Sequence, residues 1–123
     1  MSPRRVLPAV LVLLVGVAGS AKSRLPDQRD FWALNNTGKE VREFYVSPHD
    51  NTQWGSDVLG RNTLPNGMGT IITFSGKVQT GCVMDFKLVF TDDTNDTYTN
   101  GRNVCNLEAI VFTSGESYGL TRP

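Results

Sequence analysis

The sequence predicts an all-β protein: a small antiparallel β-sandwich of Ig-like outline, with six to seven strands and one disulfide. Three observations carry this. No stretch places apolar residues at helical spacing over three turns, and Gly, Asn and Thr punctuate the chain every few residues. In "CVMDFKLVF", Cys82, Met84, Phe86, Leu88 and Phe90 fall on one face, and Val83, Asp85, Lys87 and Val89 on the other. That is the period of two expected of a strand with one buried face. Finally, two cysteines, Cys82 and Cys105, stand in a chain whose start reads as an export signal.

That start is "MSPRRVLPAVLVLLVGVAGSAKS". Arg4 and Arg5 precede an apolar run from Val6 to Val17, and the small residues Ala18, Gly19, Ser20 and Ala21 follow. This is the three-part pattern of a secretory signal peptide. The run is short for about 30 Å of hydrocarbon, and Pro8 interrupts it, so a membrane anchor fits less well. The expected organisation is a signal peptide over 1–21, a flexible leader over 22–29 holding Pro26, a sandwich domain over 30–113, and a loose tail over 114–123. The expected location is the periplasm or the medium, with no membrane association after cleavage. Removing residues 1–21 leaves 102 of the 123 residues. It takes away two Arg and no acid, so 10 basic residues face 12 acidic ones, net −2. That balance argues against nucleic acid or an anionic membrane as partner.

In an exported chain, Cys82 and Cys105 read as one disulfide closing a ring of 24 residues. Chain entropy makes such a closure worth up to ~3.4 kcal/mol. Metal ligation is the poorer reading. His49 is the only other soft ligand, and a closed zinc site needs four.

"FWALNN" (31–36) reads as the first strand, "NTGK" as a hairpin turn with Gly38 free to take positive φ, and "EVREFYVS" (40–47) as the antiparallel return. "LPNG" (64–67) is a tight turn before a third strand, "GTIITFS" (69–75). "GKVQTG" leads to the fourth strand, the alternating one. "TDDTND" turns the chain, "TYT" is a short return strand, and "VCNLEAIVF" (104–112) is the last. Its alternation puts Cys105, Leu107, Ala109 and Val111 on one side, so both cysteines are expected on inward faces.

Between Ser47 and Met68 no strand pattern appears. A structureless connection of about twenty residues is long for a compact domain, and such loops are often functional. "SPHDNTQWGSDVLG" (47–60) holds the only His and one of the two Trp. "WGSDVLG" suits a single helical turn capped by Ser56 and ended by Gly60. Two readings compete. In one, the loop caps an open end of the sandwich, with Trp54, Val58 and Leu59 turned inward and Trp54 as the plug. In the other, His49, Trp54 and Asp57 line a recognition surface within the 48–62 loop. An aromatic anchor flanked by polar groups is what an interface hot spot looks like.

Ser47, His49 and Asp50 contain the residue types of a hydrolase triad. They crowd one short stretch, however, and no G-x-S-x-G elbow accompanies them. Asp92, Asp93, Asn95 and Asp96 offer oxygen ligands for a weak calcium site, but their spacing is not that of an EF-hand. Asn and Asp also populate turns for their own backbone reasons. Asn35 and Asn95 begin N-glycosylation sequons, which matter only in a eukaryotic host.

The order N-N-T-G (35–38), Y-V-S-P (45–48), W-G-x-D-x-L-G (54–60), L-P-x-G (64–67), then Cys82 and Cys105 around a strand–turn–strand, resembles a family of small exported bacterial proteins. It spans about residues 30–112. The resemblance implies export and a small β domain, and no activity, since the family is functionally uncharacterised. Where a compact D-G turn is expected, this chain has "TDDTND". Together these features lead us to expect an exported, non-enzymatic binding or accessory module without a cofactor. It would contact an unknown protein or surface ligand through the 48–62 loop. A calcium-dependent module and a small hydrolase are the alternatives.

Overall fold

All six phenylalanines of the chain turn inward, and the architecture follows from how they meet. The computed structural model describes residues 27–51, 53–74 and 81–123, together with the backbone of Leu7–Pro8. The rest of the expected signal peptide, and residues 76–80 of the connector before the fourth strand, lie outside the described residues. The strands are β1 (Leu7–Pro8), β2 (Phe31–Asn35), β3 (Val41–Pro48), β4 (Met68–Ile72), β5 (Val83–Phe90), β6 (Asn95–Asn103), β7 (Leu107–Thr113) and β8 (Glu116–Thr121). They form two sheets, in the orders β1-β4-β2-β7-β8 and β3-β5-β6. The protein is an all-β sandwich, as expected from the alternation in β5.

Between the layers, side chains interdigitate edge to face. Phe86 of β5 meets Phe31 of β2 at 5.8 Å and Phe112 of β7 at 5.2 Å, with interplanar angles of 77° in both pairs. Phe44 meets Phe112 at 5.3 Å and 89°, and Tyr98 meets the same ring at 5.2 Å and 74°. This geometry places the positive edge of one ring on the negative face of the next. Met84, Phe86, Leu88 and Phe90 are all buried, so β5 supplies the central row of the core.

Three expectations are corrected. The first concerns β2 and β3, which do not form a hairpin. Both edges of β2 are occupied, by β4 antiparallel and by β7 in parallel register (Ala33↔Ile110, Asn35↔Phe112). β3 therefore crosses to the other sheet and pairs with β5 (Phe44↔Leu88, Val46↔Phe86). The crossing is built by Asn35, whose buried Nδ2 donates to the Lys39 and Leu64 carbonyls at 2.8 Å each. Its Oδ1 accepts from the Thr37 amide and hydroxyl. The second concerns the chain end. Residues 116–121 form an edge strand on β7 in place of a loose tail (Val111↔Tyr118). Likewise Asp27–Arg29, at the end of the expected leader, are held in a turn. Gln28 O there accepts from the Asn106 amide.

The third concerns the cysteines. Cys82 and Cys105 are bonded, with Cα atoms 5.4 Å apart, but they sit on turns at one end of the sandwich and are half-buried. Val104 takes the core position beside them and its amide donates to Cys82 O at 2.8 Å. β7 then begins at Leu107, after Asn106 with φ +66°. The bridge thus clamps the open end of the β5–β6 hairpin to the start of β7.

Two stability measurements follow. Phe86→Ala removes a ring that three others pack against and should cost about 3–5 kcal/mol in urea unfolding. Reduction of the disulfide should lower stability by ~3 kcal/mol while leaving the far-ultraviolet spectrum of the folded protein unchanged.

Candidate functional site

The connection from His49 to Gly67 runs along one side of the sandwich, between β3, the edge strand of one sheet, and β4 of the other. Its chemistry is dictated by what β3 exposes. An edge strand leaves a row of unpaired amides and carbonyls, and these need partners. Asp57 supplies one: its Oδ1 accepts from the Phe44 amide at 2.8 Å and the Leu59 amide at 2.9 Å. The Val58 amide donates to Phe44 O at 2.8 Å. Further along, Leu64 exchanges two backbone hydrogen bonds with Val41, as a strand would. The segment from Asp57 to Leu64 therefore acts as a discontinuous strand on β3.

Of the three apolar residues expected to turn inward, only Leu59 does so. Leu59 and Leu64 join the core, Val58 is exposed and Trp54 is half-buried outside it. The plug is Leu59 rather than Trp54. Residues 58–61 form a turn and no helix, with Gly60 at φ +60°. Asp57 is a backbone cap through Oδ1, while Oδ2 has no partner among the described residues.

The other end of the loop is held differently. His49 continues the β3 ladder through its amide to Val83 O, and its Nδ1 lies 2.9 Å from Asp85 Oδ1. Asp85, expected on the polar outer face of β5, is only 10% exposed along its side chain, because His49 lies over it. Gly101 of β6 makes room for that ring. A Cβ there would stand 3.1 Å from His49 Cγ and 3.0 Å from Val83 Cγ1, at a backbone φ of +80°. Ser47 is buried beside Asp85 and donates to Gln53 O at 2.9 Å. Two elements of a triad thus stand together, a carboxylate and the imidazole it orients. The nucleophile–base hydrogen bond does not form, because Ser47 is engaged with the loop backbone. Asp50 is exposed at the turn and takes no part in the pair.

The acidic turn is also taken up by local bonds. Asp92 accepts from the Thr94 hydroxyl and amide and pairs with Lys39 at 3.0 Å. The Thr94 bonds, then Lys39, hold its carboxyl down at about 2. Asp93 pairs with Arg42 at 2.6 Å, and Asp96 accepts from the Gly115 amide. Asn95 opens β6 and is exposed. The four side chains do not converge, and among the described residues no group of three acidic, His or Cys side chains is placed to hold a metal ion. Asn35, the first sequon residue, is buried, and its amide is bonded within the folded domain.

A cavity of about 360 Å³ lies between the loop and β4, lined by Asp57–Gly60 and Asn62 on one wall and by Ile71–Thr73 on the other. Nothing in the sequence pairs these two segments, because they belong to different sheets and meet only across the open side. The sole clue was the length of the loop.

Asp57→Ala would strip two backbone amides of their acceptor. It should cost about 1–3 kcal/mol in chemical unfolding, with faster hydrogen exchange at Phe44 and Leu59. Asp57→Asn, which keeps an acceptor oxygen, should recover most of that loss.

The described residues contain one disulfide and no helix long and apolar enough to cross a membrane. Compared with protein-family models, curated proteins and solved structures, the chain has no match in any of the three.

Proposed function

We propose that the protein is an exported, non-enzymatic binding or accessory module whose contact surface is the open side built by the 48–62 loop. The observation that carries this is the cavity between Asp57–Asn62 and Ile71–Thr73. It is concave, its accessible lining is mostly polar, and Asp57 stands in that lining with one carboxylate oxygen unpaired by the described residues. Concavity, with polar groups that can fix a ligand's orientation, is a feature of recognition sites. Export is supported by the Arg-then-apolar start of the chain, by the disulfide, and by the resemblance to small exported bacterial proteins. Half-exposed His49 and half-buried Trp54 extend the surface along the same loop.

A binding role fits better than a hydrolase because Ser47 is buried and bonded to Gln53 O. It fits better than a calcium module because Asp92 and Asp93 are already paired with Lys39 and Arg42.

Thr73 is exposed and lines the cavity, so Thr73→Trp should fill it without disturbing the core. Retention of envelope components by the immobilised variant should fall at least tenfold against the native protein, at equal melting temperature. Val58→Arg, at a second exposed lining position, should do the same. Unchanged retention by both variants would place any binding elsewhere.

A further inference from the structure

The four lateral edges of the two sheets are not equivalent. The edge of β3 is covered by Asp57–Leu64. On the opposite side of the sandwich, Arg102 of β6 donates to Ser117 O of β8 at 2.6 Å, and Tyr98 of β6 donates to Thr113 O at 2.8 Å. Side chains there tie the edge strand β6 to β8 and to the end of β7. The edge of β4 is treated differently. It takes up an extended backbone segment, β1, in antiparallel register, with Leu7 opposite Gly69 and Pro8 opposite Met68. That segment lies inside the expected signal peptide. Cleavage of that expected signal peptide would uncover the β4 edge, and the cavity opens beside the same strand and its continuation, at Ile71–Thr73.

We infer that the outer edge of β4 is an acceptor for an extended peptide of another polypeptide, and that the adjoining cavity receives a basic side chain from it. This rests on the binding reading above and names its ligand class. Strand addition supplies main-chain hydrogen bonds, while pockets for alternate side chains supply selectivity. β1 shows that the β4 edge accepts such a segment and in which direction. In that register, each step towards the N-terminus of the peptide moves one residue along β4. The third residue before the one opposite Gly69 stands opposite Ile72. Opposed residues of an antiparallel pair share a face, and Ile72 faces inward. That peptide side chain therefore enters the space between β4 and the loop. The charged residue in the lining is Asp57, whose Oδ2 has no partner among the described residues, so a cation is the complementary ligand. The chain's own sequence meets the requirement: in the β1 register, a peptide copying residues 2–9, SPRRVLPA, places its first arginine opposite Ile72.

The experiment uses the protein recovered from the envelope of an exporting host, its N-terminus read by mass spectrometry, with the synthetic peptide SPRRVLPA as probe. Saturating peptide should slow amide exchange within Met68–Ile72 at least tenfold. A peptide with alanine for the first arginine should bind at least tenfold more weakly. The full chain retaining residues 1–21 should also bind the probe at least tenfold more weakly, because its own segment competes for the edge. Absence of β4 protection at millimolar peptide would overturn the inference, as would retention of residues 1–21 in the exported protein. So would a concentration-dependent dimer with β4 amides protected in the absence of peptide, which would make a second copy the occupant. The broader reading fails separately: if Thr73→Trp and Val58→Arg change no retention, the cavity is not a contact surface at all. If they abolish retention while the probe leaves β4 unprotected, the cavity binds something other than an added strand.

Discussion

The side chain of Asn35 decides how the two sheets are connected. It is buried, and both ends of its amide are spent on the backbone, on Lys39 and Leu64 through nitrogen and on Thr37 through oxygen. A buried amide with no partner would cost several kcal/mol by transfer scales, so the turn from Asn35 to Lys39 must keep its shape. That shape sends β3 into the other sheet. It also holds Leu64 where Leu64 can bridge Val41. The long connection is thereby anchored at its far end before any of its own side chains contribute.

What lies between those anchors is a seal. β3 is an edge strand, and its free backbone groups are satisfied by a carboxylate, by one amide and by a two-bond bridge instead of a continuous partner strand. A seal built piecewise does not close the gap to the neighbouring sheet. Leu59 fills the core side, and the remaining volume is the cavity against β4. The concavity is thus a by-product of solving an edge problem with a loop. The same economy appears at Asp85. A charge on the nominally polar face of β5 is covered by His49, and Gly101 is the residue that leaves the ring its space.

Three devices of different kind tie the sandwich together. The aromatic contacts between Phe31, Phe44, Phe86 and Phe112 act across the whole sandwich and define the layer spacing. The disulfide acts at one end only, between turns, and constrains the unfolded chain more than it shapes the native core. At the other end, Lys39 and Arg42 meet Asp92 and Asp93 in exposed pairs that contribute little to stability but occupy the acidic turn.

By itself the sequence determined the class of the fold, the identity of β5 and its buried face, and the pairing of the two cysteines. Each of these depends on periodicity or on a count, which are local properties. It also marked the 48–62 loop as exceptional by length. Tertiary structure decided the partners of β2, the strand at 116–121, the inward turn of Leu59 in place of Trp54, the burial of Asp85, and the two walls of the cavity. Strand pairing is set by which edges remain free once the core has closed, and no window of sequence records that. The tail over 114–123, expected to be loose, holds the edge strand at 116–121, and two glycines, Gly115 and Gly119, fall within it. Gly119 is placed where a Cβ would stand 3.1 Å from the Leu107 side chain, so its missing side chain lets the strand dock closely on β7.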